Sequence, residues 1–338
     1  MDALSDALRV VRLKGGVFLN AQFTAPWCLS SRIGPPDAGA LFKQSEHVVL
    51  YHYVAEGRLL AQTQTENPIE IEAGEVIIFP RNNDHLLGSD LTVSPVPTRQ
   101  IVRPAPDGRG WLIEHGGGGE LTRIVCGFLG CDRLDGNPLL NSLPPVLRFD
   151  ARTGAAGAWI RSSLEFASGE LAARRAGTDI VLAKLSELLF IEALRRYVDA
   201  LPDEQTGWLA GLKDPYVSRA LSLLHGQVSR QWTVDELGSE TGLSRSALAD
   251  RFTRLIGEPP MRYLGRWRIQ VAAHQLRDTE AALAQIADDV GYGSEAAFSR
   301  AFKLATGRPP AAWRKDNRSG GVTSPPGPAS TASRHRPE

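Results

Sequence analysis

The chain has 338 residues, enough for two separately cored domains, with 42% hydrophobic and 22% charged side chains and 38 basic against 38 acidic residues, a formal net charge of zero. That balance excludes a fibre, a disordered chain and a uniformly cationic nucleic-acid binder, so any attraction to a polyanion must be local. No run approaches the roughly 18 apolar residues of a membrane span, Asp2 and Asp6 stand where a secretory leader wants cations, and three cysteines (Cys28, Cys126, Cys131) are too few for a disulfide framework, which together predict a cytoplasmic protein.

In chain order, the stretch from Val17 to about Arg133 favours strands. HVVLYHYV, RLLAQTQ, IEIEAGEVIIFP and LTRIVCGFLG are short, β-branched or alternating, and separated by turn residues, the pattern of a small barrel or sandwich. EHGGGGE lacks the Lys-Ser/Thr of a phosphate loop and reads as a β-connection. Cys126 and Cys131 lie five residues apart; they are either packing residues or a thiol switch. Residues 158–201 read as helical, and Ile180, Leu185, Leu188, Leu189, Ile191, Leu194 and Val198 make a stripe broad enough for a domain junction or a homodimer seam. Residues 203–213 read as a polar linker, and the Gly, Pro and Ser after Lys315 predict a disordered tail. The expected division is therefore 1–150, a β-rich sensor; 151–202, a helical junction; 203–213, a linker; 214–316, a helical domain; and 317–338, the tail.

Within the helical domain one unit occurs twice. SRSALADRFTRLIGEPP (244–260) and SEAAFSRAFKLATGRPP (294–310) match at Ser244/Ser294, Ala247/Ala297, Leu248/Phe298, Phe252/Phe302, Gly257/Gly307 and both prolines. Upstream of the first, Thr233 and Glu236 form a capping-box pattern and Gly242 ends a short helix; Ile286, Ala287 and Gly291 repeat the plan. Helix, glycine turn and second helix make a helix-turn-helix, here in two copies. With Leu248, Phe252, Phe298 and Phe302 inward, the outward residues are Arg245, Ser246, Ala249 and Asp250 on the first second-helix, and Glu295, Ala296, Ser299 and Arg300 on the other. Arg245, Arg251, Arg254, Arg262, Arg266 and Arg268, then Arg300, Lys303, Arg308, Arg314 and Lys315, give this region local positive charge.

These residues resemble the DNA-binding domain of the AraC/XylS transcription regulators. Phe298, Ser299, Arg300, Phe302, Lys303, Gly307, Pro310 and Arg314 fall on that family's signature, with Trp313 in place of its usual tyrosine. The resemblance implies a long helix joining two units that read successive major-groove segments of double-stranded DNA, and contact with RNA polymerase. GEVIIFPRNNDHLLGS resembles the second cupin motif through Gly74, Pro80 and His85; His52 and Glu56 keep part of the first motif, and Leu50 replaces one metal histidine. The resemblance thus implies an α+β multidomain chain: an N-terminal cupin-like β-barrel with a helical junction, and a C-terminal all-α double helix-turn-helix domain. The expected function is a non-enzymatic, sequence-specific regulator controlled by a small-molecule or chemical-stress effector. His52, Glu56 and His85 are its expected effector pocket, with neither metal nor other cofactor. The histidines could instead satisfy core hydrogen bonds, and a metal-dependent cupin enzyme fused to a DNA-binding domain is the alternative.

Overall fold

The computed structural model describes residues 2–11, 13, 18–32, 47–64, 66–104, 111–131, 137–173 and 175–318. After helix α1 (Ala3–Val11) come strands β1 (Phe18–Thr24), β2 (Cys28–Ser31), β3 (His47–Glu56), β4 (Arg58–Thr63), β5 (Ile69–Glu72), β6 (Glu75–Phe79), β7 (His85–Gly88) and β8 (Val96–Pro97). Helix α2 (Thr98–Ile101), strands β9 (Arg103–Pro104), β10 (Trp111–Gly116) and β11 (Leu121–Cys131), helix α3 (Pro138–Ser142) and strand β12 (Leu147–Asp150) complete this half. The rest is helical: α4 (Gly154–Ala173), α5 (Thr178–Ala200), α6 (Trp208–Gly211), α7 (Pro215–Gly226), α8 (Val234–Thr241), α9 (Arg245–Ile256), α10 (Pro260–Asp278), α11 (Leu283–Asp289), α12 (Glu295–Thr306) and α13 (Pro310–Arg318). None of the described helices is long and apolar enough to cross a membrane. The expected tail lies outside the described residues, except 317 and 318, which close α13.

The alternating stretches do form strands, but they do not close into a barrel. They make two sheets, ordered β12-β6-β3-β11-β1-β10-β9 and β5-β4-β7-β2-β8. Edge strands β8 and β9 are two residues long, and short edges leave little backbone for a closing ladder. The product is a sandwich whose interior holds Phe23, Leu29, Leu50, Val54, Leu59, Ile77, Phe79 and Ile124. Because side chains alternate along a strand, Val49, Tyr51 and Tyr53 of β3 point the other way and join a second core with α4 and α5. The Tyr51 hydroxyl lies 3.0 Å from the Ser186 hydroxyl of α5. EHGGGGE ends β10 and supplies its connection to β11, tied to β1 by the Gly117 amide donating to the Thr24 carbonyl at 2.8 Å.

That second core does not stop at the sensor. It continues through α1 and α3 into α6, α7, α9 and the first part of α10. Asp2 caps α1, accepting from the Ser5 amide at 2.9 Å, and Ala3, Ala7 and Val11, one turn apart, are buried against α7 and α10. The stretch 203–213 is thus only partly the polar linker expected: the short apolar run WLAGL, diluted by its polar flanks, places Trp208, Leu209 and Ala210 in this core.

Candidate DNA-reading surface and effector pocket

Local chemistry builds both helix-turn-helix units. The Thr233–Glu236 capping box starts α8, and Gly242, at φ +80°, ends it. Ser244 and Ser294 cap α9 and α12, accepting from the Ala247 and Ala297 amides at 3.3 and 3.2 Å. A Cβ on Gly238 would stand 2.8 Å from the Leu243 carbonyl oxygen, so the first helix can approach the turn this closely only with glycine there. Leu248, Phe252, Phe298 and Phe302 are fully buried. Arg245, Ser246, Asp250, Glu295, Ala296 and Arg300 are exposed, and Ala249 and Ser299 half-buried, all on the opposite faces.

The cations divide sharply. Arg245 pairs with Asp235 at 3.3 Å, Arg251 with Asp214, Arg262 and Arg266 with Glu258, and Arg308 with Asp316. Arg314 donates to the Ala281 carbonyl at 2.6 Å. Arg268, counted from the sequence with the surface cations, is half-buried and turned to backbone carbonyls. Arg254, Arg300 and Lys303 are exposed without an ion-pair partner among the described residues. Leu304, 90% exposed one turn beyond Arg300, was missed by the sequence reading; the same outward helical stripe marks it.

In the sensor, His52 and His85 meet across the sandwich, from facing sheets, with ring centroids 5.8 Å apart. His85 stacks on Phe79 at 3.6 Å, and its Nδ1 donates to the Asn83 carbonyl at 2.8 Å, which leaves Nε2 as an acceptor. His52 Nδ1 lies 3.0 Å from the Cys126 sulfur. Burial pushes that thiol up to about 12, so it stays protonated beside the imidazole. Burial, then repulsion from His85, lowers His52 to about 3; burial lowers His85 to about 4. Neither Nε2 meets a partner among the described residues. His85 and Thr63, whose hydroxyl is likewise unpartnered, line a cleft of about 760 Å³ that also holds Ser31, Arg32 and Arg99.

Glu56 does not belong to this site. One extra residue on β3, between Val54 and Glu56, makes a bulge opposite β11 and reverses the alternation beyond it. Glu56 therefore faces outward and pairs with Arg123, and the His52, Glu56, His85 donor set of a metal-dependent cupin is not gathered. No group of three His, Cys, Asp or Glu suited to a metal occurs among the described residues. Nor do Cys126 and Cys131 suit a thiol switch. An odd separation on one strand puts them on opposite faces, and five residues at about 3.3 Å each far exceed the 7 Å Cα limit of a disulfide.

A two-sheet sensor joined to two capped helix-turn-helix units defines a DNA-binding regulator with a ligand-sensing domain. The sequence matches the cupin family over residues 2–199 and the helix-turn-helix domain family over 237–316. A Streptomyces lividans protein classed as an AraC-like transcription regulator is 34% identical over 93% of this chain and 98% of its own. The transcriptional regulator AlkR of Acinetobacter baylyi is 27% identical over 94% of this chain and all of its own. RclR of Escherichia coli, an RCS-specific transcriptional activator, is 25% identical over 93% and 98%. The chain belongs to the AraC-type transcription regulators in which a cupin sensor precedes a helix-turn-helix DNA-binding domain.

Proposed function

We propose that α9 and α12 enter successive major-groove segments of an operator, with Arg245, Ser246, Ala249 and Asp250 of α9 and Glu295, Ala296, Ser299 and Arg300 of α12 toward the bases. The observation that carries this reading is the exposed Arg300, unpaired on the outward face of a helix whose inward face is wholly buried. A guanidinium left without a carboxylate is ready for the paired acceptors of guanine. Arg254 and Lys303 supply phosphate contacts. Genomic footprinting with the full chain identifies the operator. On it, Arg300→Ala should weaken binding by about 1–3 kcal/mol and leave thermal stability unchanged. Full affinity in a folded Arg300→Ala protein would remove Arg300 from the interface.

The effector is read as a small molecule bound in the cleft that ends on His85, with His52 behind it. Two buried, neutral imidazoles favour an uncharged polar group, such as a hydroxyl, over a carboxylate or ammonium. The cytoplasmic regulator binds rather than transforms this molecule, and RNA polymerase at the same promoter reads the change in occupancy. Trp159 and Phe166 on α4 and Ile180 and Leu188 on α5 are 41%, 48%, 70% and 51% exposed, which supports pairing of two copies through these helices. Sedimentation of the full chain reads that directly as a mass of one chain or two.

A further inference from the structure

The two helix-turn-helix units sit on α10 through separate apolar cores, the first shared with α1 and α7, the second formed by Ile269, Leu276, Ile286, Val290, Phe298 and Phe302. Two side chains, Arg268 and Gln231, join the units at a further point. Arg268 of α10 gives all three guanidinium nitrogens to backbone carbonyls: Nε to Val228 at 2.9 Å, Nη2 to Arg230 at 2.7 Å and Nη1 to Gly291 at 3.1 Å. Val228 and Arg230 lie in the loop entering α8, in the first unit; Gly291 lies in the turn between α11 and α12, in the second. Gln231 Nε2 donates to the same Gly291 carbonyl at 2.7 Å. Gly291 has φ +82°, and a Cβ there would stand 2.6 Å from the Ser229 carbonyl oxygen, so turn and loop are in direct contact. A planar guanidinium fixes its three acceptors in one arrangement, which a lysine ammonium on a flexible stem would not.

We propose that Arg268 is the positioning residue that sets the separation and angle of the two reading helices, and so the base-pair spacing between the half-sites this regulator accepts. The proposal rests on reading α9 and α12 as the DNA-reading helices. One inserted base pair moves the second half-site by about 3.4 Å and rotates it by about 35°. A joint held at Gly291 cannot follow that displacement, whereas one resting on the α10 cores alone has freedom to do so.

Duplexes selected from a random library by the full-length protein supply the bipartite site. Affinity is then measured by fluorescence anisotropy on that site, on the same site with one base pair inserted between its halves, and on a duplex with one half scrambled. The unaltered protein should lose about 30-fold or more on the insertion, comparable to one or two mismatches. Arg268→Lys and Arg268→Ala should lose less than about fivefold, with binding to the scrambled duplex unchanged. Gln231→Ala, which removes a single bond to Gly291, should fall between and keeps the test open if Arg268→Ala fails to fold. An insertion penalty equal to that of the unaltered protein in folded Arg268→Lys and Gln231→Ala overturns the proposal, and so does equal weakening on all three duplexes, which is what a merely structural role gives. A selection that returns no bipartite sequence removes the DNA-reading assignment itself, and this proposal with it.

Discussion

Three histidines are held neutral by burial, His52 and His85 in the sensor and His225 in the core around α7. His225 Nε2 accepts from the Tyr263 hydroxyl at 2.7 Å, and that hydroxyl accepts from Trp208 Nε1 at 2.7 Å. Burial lowers His225 to about 3, beside about 3 for His52 and about 4 for His85. An unfolded histidine titrates near 6.5. Between those values the unfolded chain holds protons that the native protein lacks, so stability is full above about pH 7 and falls as pH drops below 6.5. Each histidine contributes a slope of about 1.4 kcal/mol per pH unit until its native value is reached. Urea unfolding between pH 6 and 4.5 should therefore be less steep in pH for His85→Gln than for the unaltered chain by about that amount, since carboxylate titration is common to both. Equal slopes would mean that His85 is already charged in the native protein. The pair itself was legible through the cupin motif spacing. Glu56 was not, because a bulge is set by pairing with a strand some seventy residues away.

At the scale of elements, the repeat carried its own grammar. Thr233, Glu236, Gly242, Ser244, Ser294 and Gly307 act within a few residues of themselves, so capping and turn geometry could be read from the sequence and occur in the structure. Barrel closure could not, since it depends on which distant edges pair. Nor did the matched phenylalanines announce that they lie in different cores. Phe252 is buried in the core shared with the sensor, whereas Phe302 is buried in the small core of the second unit. Alanine at either should cost about 3–5 kcal/mol. Their unfolding should nonetheless differ: Phe302→Ala should release the second unit in a separate early transition, and Phe252→Ala should lower the main one. A single shared transition in both variants, followed by tryptophan fluorescence and calorimetry, would show that the two cores unfold as one.

At the scale of the whole molecule, the sensor and the first DNA-binding unit are one packed body rather than two domains on a string. Helix α1, from the start of the cupin match, covers α7 and α10 with Ala3, Ala7 and Val11, each at most 2% exposed, and α3 meets α6. A ligand that shifts the large sheet has a contiguous apolar route to α7 and from there to the loop held by Arg268, whereas the second unit has its own core and, among the described residues, meets that body at α10 and that loop. Removing residues 2–11 should therefore expose the apolar side of α7 and lower stability by at least about 3 kcal/mol, from the loss of several buried side chains. Hydrogen exchange on the shortened chain gives the sharper reading. Amides of α7 and the first half of α10 should lose protection, while those of α12, whose core contains no residue of α1, should keep theirs. The shortened chain should also lose effector response while still binding operator DNA, because both reading faces are left intact. Unchanged protection of α7 would show that α1 is not the seam, and a normal effector response without it would place the coupling in the α3–α6 contact instead.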